Sequence, residues 1–415
     1  MPHSAESRLN PPKEPVMTPK KILLMAHDVT LAHLGRPLRL AKSLIADGHA
    51  VTLAASAESS RFLKDFPGRV HTLAPTGKTR FIDNLAKGRP VFDFETLKRF
   101  AEEDEALLAE LRPDAVIGDF RLSLSVSARR AGVPYAAITN AYWHPALAPH
   151  FVVPDLPMVR YLGVTLSQAL FNLARPFAFA YHARPLNALR RHYGMPTLGN
   201  DLRRIYTDAD LALLSDIPAT YGLTDDSVPG AIFTGPLSWS PDIPLPGWWN
   251  RLDARRQTIY VTLGSSGDPA LLPRLVGQLS QLDVQLIVST AGAGTLPPND
   301  RVFCADYLPG DLAAARSSVV VCNGGSPTAY QALQNGVPVL GIPGNLDQFL
   351  NMHYLGKAGA ALSLRNTELT PVHVTRALGR LLDEPGFRLA AERLAAACAS
   401  HACPPILPAL LEQAR

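Results

Sequence analysis

The chain has 415 residues, too many for one ordinary hydrophobic core, so two domains are expected. Apolar residues make up 47% and charged residues 18%, a globular balance that excludes a disordered chain. A formal net charge of +4 suits an anionic ligand but falls short of the basic footprint of a nucleic-acid binder.

Residues 1–18 are polar and proline-rich with no apolar centre, so they read as a disordered leader and not as a secretory signal, with Met17 a second possible start. The four cysteines, Cys304, Cys322, Cys398 and Cys403, form no C-x-x-C pair. That argues against a zinc knuckle or redox motif and for a reducing, cytoplasmic setting, with Cys304 and Cys322 as core residues. No apolar run reaches the roughly 18–20 residues needed to span a bilayer.

Strand and helix patterns then alternate. Residues 21–26 (KILLMA) form a strand, a loop runs to Gly35, and Pro37 opens a helix carrying Leu40, Ala41, Leu44 and Ile45 on one face. Asp47-Gly48-His49 ends it and residues 50–55 form the next strand, completing a β-α-β unit. A strand at 115–118, a helix near 122–131 and a strand at 134–139 repeat the pattern, and 211–214 is the expected last strand of this half. The first lobe is expected at 19–220. Proline, glycine and tryptophan crowd residues 221–250, the expected linker. The second lobe, 251–395, restarts with strands at 258–263, 284–289, 301–305, 319–322 and 337–342 and helices at 269–282, 312–316 and 328–335. The alanine- and leucine-rich end, 396–415, is expected to be a helix that returns to the first lobe. The fold class is α/β: two Rossmann-like parallel-sheet lobes facing a cleft, with ligands at the carboxyl ends of the strands.

Residues 151–204 differ. Seven arginines (160, 175, 184, 190, 191, 203 and 204) meet only Asp155 and Asp201 among many Phe, Tyr and Leu residues. The segment reads as a helical insertion with a solvated basic face, or as an acceptor-site wall or membrane-surface patch.

The strongest motif lies at 319–348. A strand, VVVC, feeds Asn323-Gly324-Gly325-Ser326-Pro327-Thr328, and a helix follows with Ser326 as its expected N-cap. Glycine lets the backbone approach a ligand closely, and the helix N-terminus offers unpaired N–H groups and the positive dipole end to a phosphate. Then come Gly336-Val337-Pro338, Pro343 and Asp347-Gln348. In these residues and their spacing the chain resembles the nucleotide-sugar box of family 1 glycosyltransferases, the GT-B superfamily of plant UDP-glycosyltransferases and bacterial antibiotic glycosyltransferases.

The resemblance implies a donor site. Gly325, Ser326 and Thr328 would hold the diphosphate, beside Asn323 and Gly324. Asp347 and Gln348 would take sugar hydroxyls, since a carboxylate accepts and an amide both donates and accepts. Gly264-Ser265-Ser266 resembles the family's first phosphate loop, and Tyr307-Leu308-Pro309 the loop that holds the base. Two positions depart from the family pattern: Asn323 stands where the family has a phosphate-binding histidine, and Gln331 where it often has a ribose-binding glutamate. His33, in the stretch Ala32-His33-Leu34-Gly35-Arg36, falls where the family's catalytic base sits, and Asp119 resembles the aspartate that orients it. His144 is the reserve, and Asp114 starts the same strand at its wrong end.

Other chemistries lack their motifs. There is no G-x-x-x-x-G-K-[ST], H-E-x-x-H or G-x-S-x-G. Gly292-Ala293-Gly294 imitates a dinucleotide fingerprint, but Pro297 replaces its third glycine, and Asp208-Ala209-Asp210 precedes a strand and reads as a turn. The expectation is an inverting, metal-independent transferase. It would need no cofactor beyond a UDP- or dTDP-sugar co-substrate, and its acceptor would be a small hydroxyl compound of apolar or lipid-like character. A non-hydrolysing nucleotide-sugar epimerase, and a non-catalytic sugar-nucleotide-binding homologue or partner subunit, are the alternatives.

Overall fold

The computed structural model describes residues 18–414 except 28, 148, 265, 293, 295, 297 and 298. The expected leader up to Met17, Ser265 of the first phosphate loop, and Ala293 and Pro297 of the glycine run lie outside the described residues.

Two all-parallel sheets form the frame. The first has strands β1 (Lys21–Ala26), β2 (Ala50–Ser56), β3 (Arg69–Leu73), β4 (Ala115–Asp119), β5 (Tyr135–Thr139), β6 (Leu211–Leu214) and β7 (Ala231–Phe233), in the order β3-β2-β1-β4-β5-β6-β7. Its helices are α1 (Leu31–Ala46), α2 (Lys78–Ala86), α3 (Phe94–Leu111), α4 (Leu124–Ala131), α5 (Pro157–His192) and α6 (Leu202–Thr207). The second sheet has β8 (Thr258–Thr262), β9 (Gln285–Ser289), β10 (Val302–Ala305), β11 (Val319–Cys322), β12 (Val339–Gly341) and β13 (Ala361–Ser363), in the order β10-β9-β8-β11-β12-β13. Helices α7 (Leu271–Leu279), α8 (Gly310–Ala315), α9 (Ser326–Leu333), α10 (Leu346–Lys357), α11 (Pro371–Asp383) and α12 (Pro385–Ser400) cover it, and α13 (Ile406–Gln413) follows.

Strand alternation divides each core into two layers. In β1, Ile22, Leu24 and Ala26 pack with α1, while Leu23 and Met25 pack on the opposite face with Leu107, Leu108 and Leu124 of α3 and α4. In β8, Ile259 and Val261 face α7 and α11, and Tyr260 faces α8, α9 and α12. Cys322 is buried among these apolar side chains, whereas Cys304 is only partly buried.

Three expectations need correction. Helix α1 begins at Leu31, not at Pro37, so His33 lies in its first turn and not in a loop. Pro37 is inside the helix, where it offers no N–H to the His33 carbonyl. Burial of Leu34, Leu38, Leu40, Ala41 and Leu44 holds the helix across that gap. Strand β6 is not the last of the first half: β7 pairs with it through Leu213 and Ile232, so the first sheet runs on into the expected linker. The final segment is not one helix from 396: α12 ends at Ser400, and α13 starts at Ile406. Ala390, Ala391 and Leu394 of α12 pack in the second lobe, while Ile406, Leu407 and Leu410 of α13 enter the first-lobe core. The chain therefore crosses between lobes twice.

Both sheets reverse their strand order at one place, between β1 and β4 and between β8 and β11. Loops leaving the carboxyl ends of those four strands carry the residues described next.

Candidate active site

Asp119 ends β4 and is fully buried. His33 and Arg36, three residues apart on one face of α1, both reach it. His33 Nδ1 lies 2.7 Å from Asp119 Oδ1. Arg36 donates from Nε to Oδ2 and from Nη2 to Oδ1, each at 2.7 Å, a two-point clamp. Arg36 Nη2 and His33 Nδ1 are 3.1 Å apart because they share that oxygen. Burial alone would lower the Arg36 pKa, but the charge of Asp119 and its hydrogen bonds win, and it lies above the ordinary arginine value. With Nδ1–H donating to Asp119, His33 keeps the Nε2 lone pair for a proton.

The polar chain continues across the cleft. Arg36 Nη1 donates to Asn140 Oδ1 at 3.0 Å, just beyond β5. Asn140 Nδ2 donates to Asp216 Oδ2 at 3.1 Å and to Ser326 Oγ, in the second lobe, at 3.0 Å. Phe120 stacks on His33, with ring centroids 4.9 Å apart and 19° between planes. Its φ of 54° is a left-handed conformation that bulky residues avoid, so the backbone is strained where it delivers this ring. Behind it lie Phe81, Phe92, Phe100 and Tyr206, forming with Phe120 an aromatic cluster around buried His27. Among the described residues neither ring nitrogen of His27 has a hydrogen-bond partner.

In the second lobe the two glycine loops touch. Gly264, after β8, has φ 62°, and Gly324, after β11, has φ 76°. Asn323 Nδ2 donates to Ser266 Oγ at 3.0 Å, and its Oδ1 accepts from Gly325 N at 3.1 Å. A Cβ on Gly324 would come within 2.6 Å of Met352. Helix α9 is capped by Gly325, not by Ser326, which is its first residue. Pro327 follows and, like any residue of the first turn, needs no N–H partner inside the helix. Thr328 completes that turn. Asp347 Oδ1 accepts from Trp143 Nε1 at 2.7 Å and from Tyr142 Oη at 3.1 Å, both in the first lobe.

Three residues of the implied donor site have other commitments. Gln348 Oε1 accepts from Gly344 N at 2.8 Å and, as half of the capping box that opens α10, from Asn345 N at 3.4 Å, and Nε2 sits 3.5 Å from Ser266 Oγ. Gln331 Nε2 donates to the Trp239 carbonyl at 2.8 Å and to Ser240 Oγ at 3.0 Å, tying α9 to the linker. Leu308 is buried in the second-lobe core, while its neighbour Tyr307 accepts from Arg61 of the first lobe at 2.8 Å. His144 stands apart from Asp119, its Nδ1 accepting from Ala146 N at 3.2 Å. Asp114 takes the Lys21 amide at the far end of the sheet, and Asp208 pairs with Arg129 and Arg190.

Sequence reasoning missed Arg36, Asn140 and Phe120. For Arg36 a signal was present: it stands one helical turn after His33, but reading that stretch as loop hid the shared face.

The chain was compared with known proteins. The family model for the C-terminal domain of erythromycin biosynthesis protein CIII-like proteins matches residues 273–412. A PGL/p-HBAD biosynthesis glycosyltransferase of Mycobacterium tuberculosis (strain ATCC 25177 / H37Ra) is 44% identical over 394 residues, 94% of this chain and 91% of that protein. A PGL/p-HBAD biosynthesis rhamnosyltransferase of Mycobacterium bovis (strain BCG / Pasteur 1173P2) is 44% identical over 382 residues, 91% and 84% of the two chains. Among solved structures, the spinosyn rhamnosyltransferase SpnG has a TM-score of 0.66 at 19% identity, covering 94% of this chain and 100% of that one. Two parallel-sheet lobes thus meet near full-length similarity to enzymes of one kind: the chain belongs to the family of the PGL/p-HBAD biosynthesis glycosyltransferases and is a glycosyltransferase of the GT-B fold.

Proposed function

We propose that the protein moves a deoxyhexose from a nucleoside diphosphate, dTDP before UDP, onto a hydroxyl of an apolar acceptor, inverting the anomeric centre. The observation that carries this reading is the His33–Asp119 pair, 2.7 Å apart at the switch point of the first sheet and linked through Asn140 to Ser326 at the start of α9. His33 Nε2 takes the acceptor proton as its oxygen attacks the anomeric carbon. The bond from that carbon to the diphosphate breaks, and its electron pair leaves with the phosphate oxygen. Attack opposite the leaving group inverts the centre. Asp119 keeps Nδ1–H in place and offsets the imidazolium charge, as in other base–orienter pairs. The N–H groups of α9 and the Ser326 and Thr328 hydroxyls stabilise the departing diphosphate.

The preference for dTDP draws on a relative named a rhamnosyltransferase and on SpnG, which has been solved with thymidine diphosphate. The apolar acceptor draws on Phe120, stacked on His33, and on the row of rings that Tyr206 and Trp143 continue behind it. The first lobe would bind the acceptor and the second the donor, with no metal needed. A sugar-transferring family favours transfer over epimerisation, and the intact His33–Asp119 pair favours a working enzyme over a binding-only homologue.

The decisive experiment is His33→Ala, assayed at saturating donor. Turnover should fall about 10²- to 10⁴-fold, the usual share of a general base, with dTDP affinity by calorimetry nearly unchanged. Retention of more than about a tenth of the rate would remove His33 as the base. Turnover should persist in EDTA, and the product should carry the opposite anomeric configuration by NMR.

A further inference from the structure

Helix α5 is apolar on its outer face as well as its inner one. A helix on a protein surface turns polar residues outward. Here Leu166, Leu170, Leu173, Phe177 and Tyr181 are exposed, and at 3.6 residues per turn they fall on one stripe. Leu173 is 72% exposed and Phe177 75%. The opposite face, with Phe179, Ala183 and Leu186, packs into the first lobe. Of the sixteen large apolar side chains that stand exposed among the described residues, eight belong to this helix. The break at Gly163, with φ 72° and ψ 169°, redirects the first turn, where Tyr161 is 81% exposed.

The charges beside the stripe have one sign. Residues 156–200 contain no Asp or Glu. Arg184 and Arg191 extend the apolar stripe at one end, Arg160 flanks it at the other, and all three are exposed. Among the described residues none of the three forms an ion pair, whereas Arg190, on the inner side, is buried against Asp208. No helix among the described residues is long and apolar enough to cross a membrane.

We infer that α5 lies flat on an anionic lipid surface, its leucine and phenylalanine stripe in the headgroup–acyl boundary and Arg160, Arg184 and Arg191 on lipid phosphates. An apolar face flanked by arginine is the pattern of an interfacial helix, and anionic headgroups supply the charge the segment lacks. A second copy of the chain would bring arginine against arginine. The inference goes beyond sugar transfer and does not depend on it.

The test uses the whole chain and sedimentation with vesicles. Vesicles of phosphatidylcholine containing about a third phosphatidylglycerol should pull down most of the protein at roughly 0.1 M salt. Pure phosphatidylcholine should bind at least about tenfold less. Leu173→Glu with Phe177→Glu should abolish binding, and Arg184→Glu with Arg191→Glu should remove the preference for the anionic lipid. Both double variants should keep the parent circular dichroism and dTDP affinity, since these side chains stand in solvent. No binding to anionic vesicles overturns the proposal, as does binding that both double variants retain. A dimer in sedimentation velocity that Leu173→Glu with Phe177→Glu dissolves also overturns it, in favour of a second copy.

Discussion

At the scale of single residues the site is organised by sharing. Asp119 serves His33 and Arg36 at once, so its buried charge is matched before any imidazolium forms. Arg36→Met should therefore cost more in stability than a surface change. Breaking a buried pair typically costs about 3–5 kcal/mol, read as a fall in denaturation midpoint, and turnover should drop because the orienting carboxylate loses its second anchor. Asn323 is committed at both ends of its amide. Asn323→Asp still accepts from Gly325 N and the Ser266 hydroxyl but sets a negative charge beside the expected diphosphate. The dTDP dissociation constant should rise at least tenfold, about 1.4 kcal/mol, with the melting temperature little changed. His27 gives a pH prediction. Burial, with the nearby charge of Arg121 adding, holds it well below the usual histidine range. Below the ordinary value of about 6.5 the unfolded chain binds a proton there that the folded chain does not, so stability falls as the pH falls. His27→Leu should raise the melting temperature more at about pH 5.5 than at about pH 8; equal gains would refute the linkage.

At the scale of elements, the sequence made most of the sheet strands legible, because buried parallel strands read as short apolar runs bounded by turn residues. The glycine loop before α9 was legible for the same reason that it works: only glycine tolerates φ near 76° at Gly324 beside Met352. What stayed hidden depended on tertiary packing. The start of α1 was misplaced because Pro37 reads as a helix opener, and only the core beneath α1 shows that the helix survives a missing bond. Strand β7 has three residues, too few for a period to emerge. The roles of Gln331 and Gln348 were not legible, since their partners lie in the linker and in a cap. One element-level prediction follows from Gly35, whose added Cβ would stand 3.0 Å from Cβ of Trp239. Gly35→Ala should push α1 and the linker apart, lowering the melting temperature and reducing turnover while leaving dTDP binding intact. Unchanged turnover would mean that this contact does not position His33.

At the scale of the whole molecule, the lobes meet through side chains as well as chain. Asn140 reaches Ser326, Tyr142 and Trp143 reach Asp347, Arg61 reaches Tyr307, and Arg365 reaches Asp155 at 2.8 Å. Helix α13 adds a larger anchor. Removing residues 404–415 would strip Ile406, Leu407 and Leu410 from the first-lobe core. At about 1.5–3 kcal/mol for each buried aliphatic side chain, that loss approaches the whole stability of a domain. The truncated chain should aggregate or melt far below the parent in calorimetry. The second crossing also sets how the molecule can move. One tether would leave two bodies free to swivel in any direction, whereas two tethers define a line, and motion that stretches neither is rotation about it. We predict that the cleft opens like a jaw on a pin, by rotation about that line, which would bring His33 and the start of α9 together in one register at each closure. A protease cut in the exposed stretch near Leu245 would sever one tether only. The nicked protein should still elute as a single species and still bind dTDP, but its turnover should fall, because the pin has lost one of its ends.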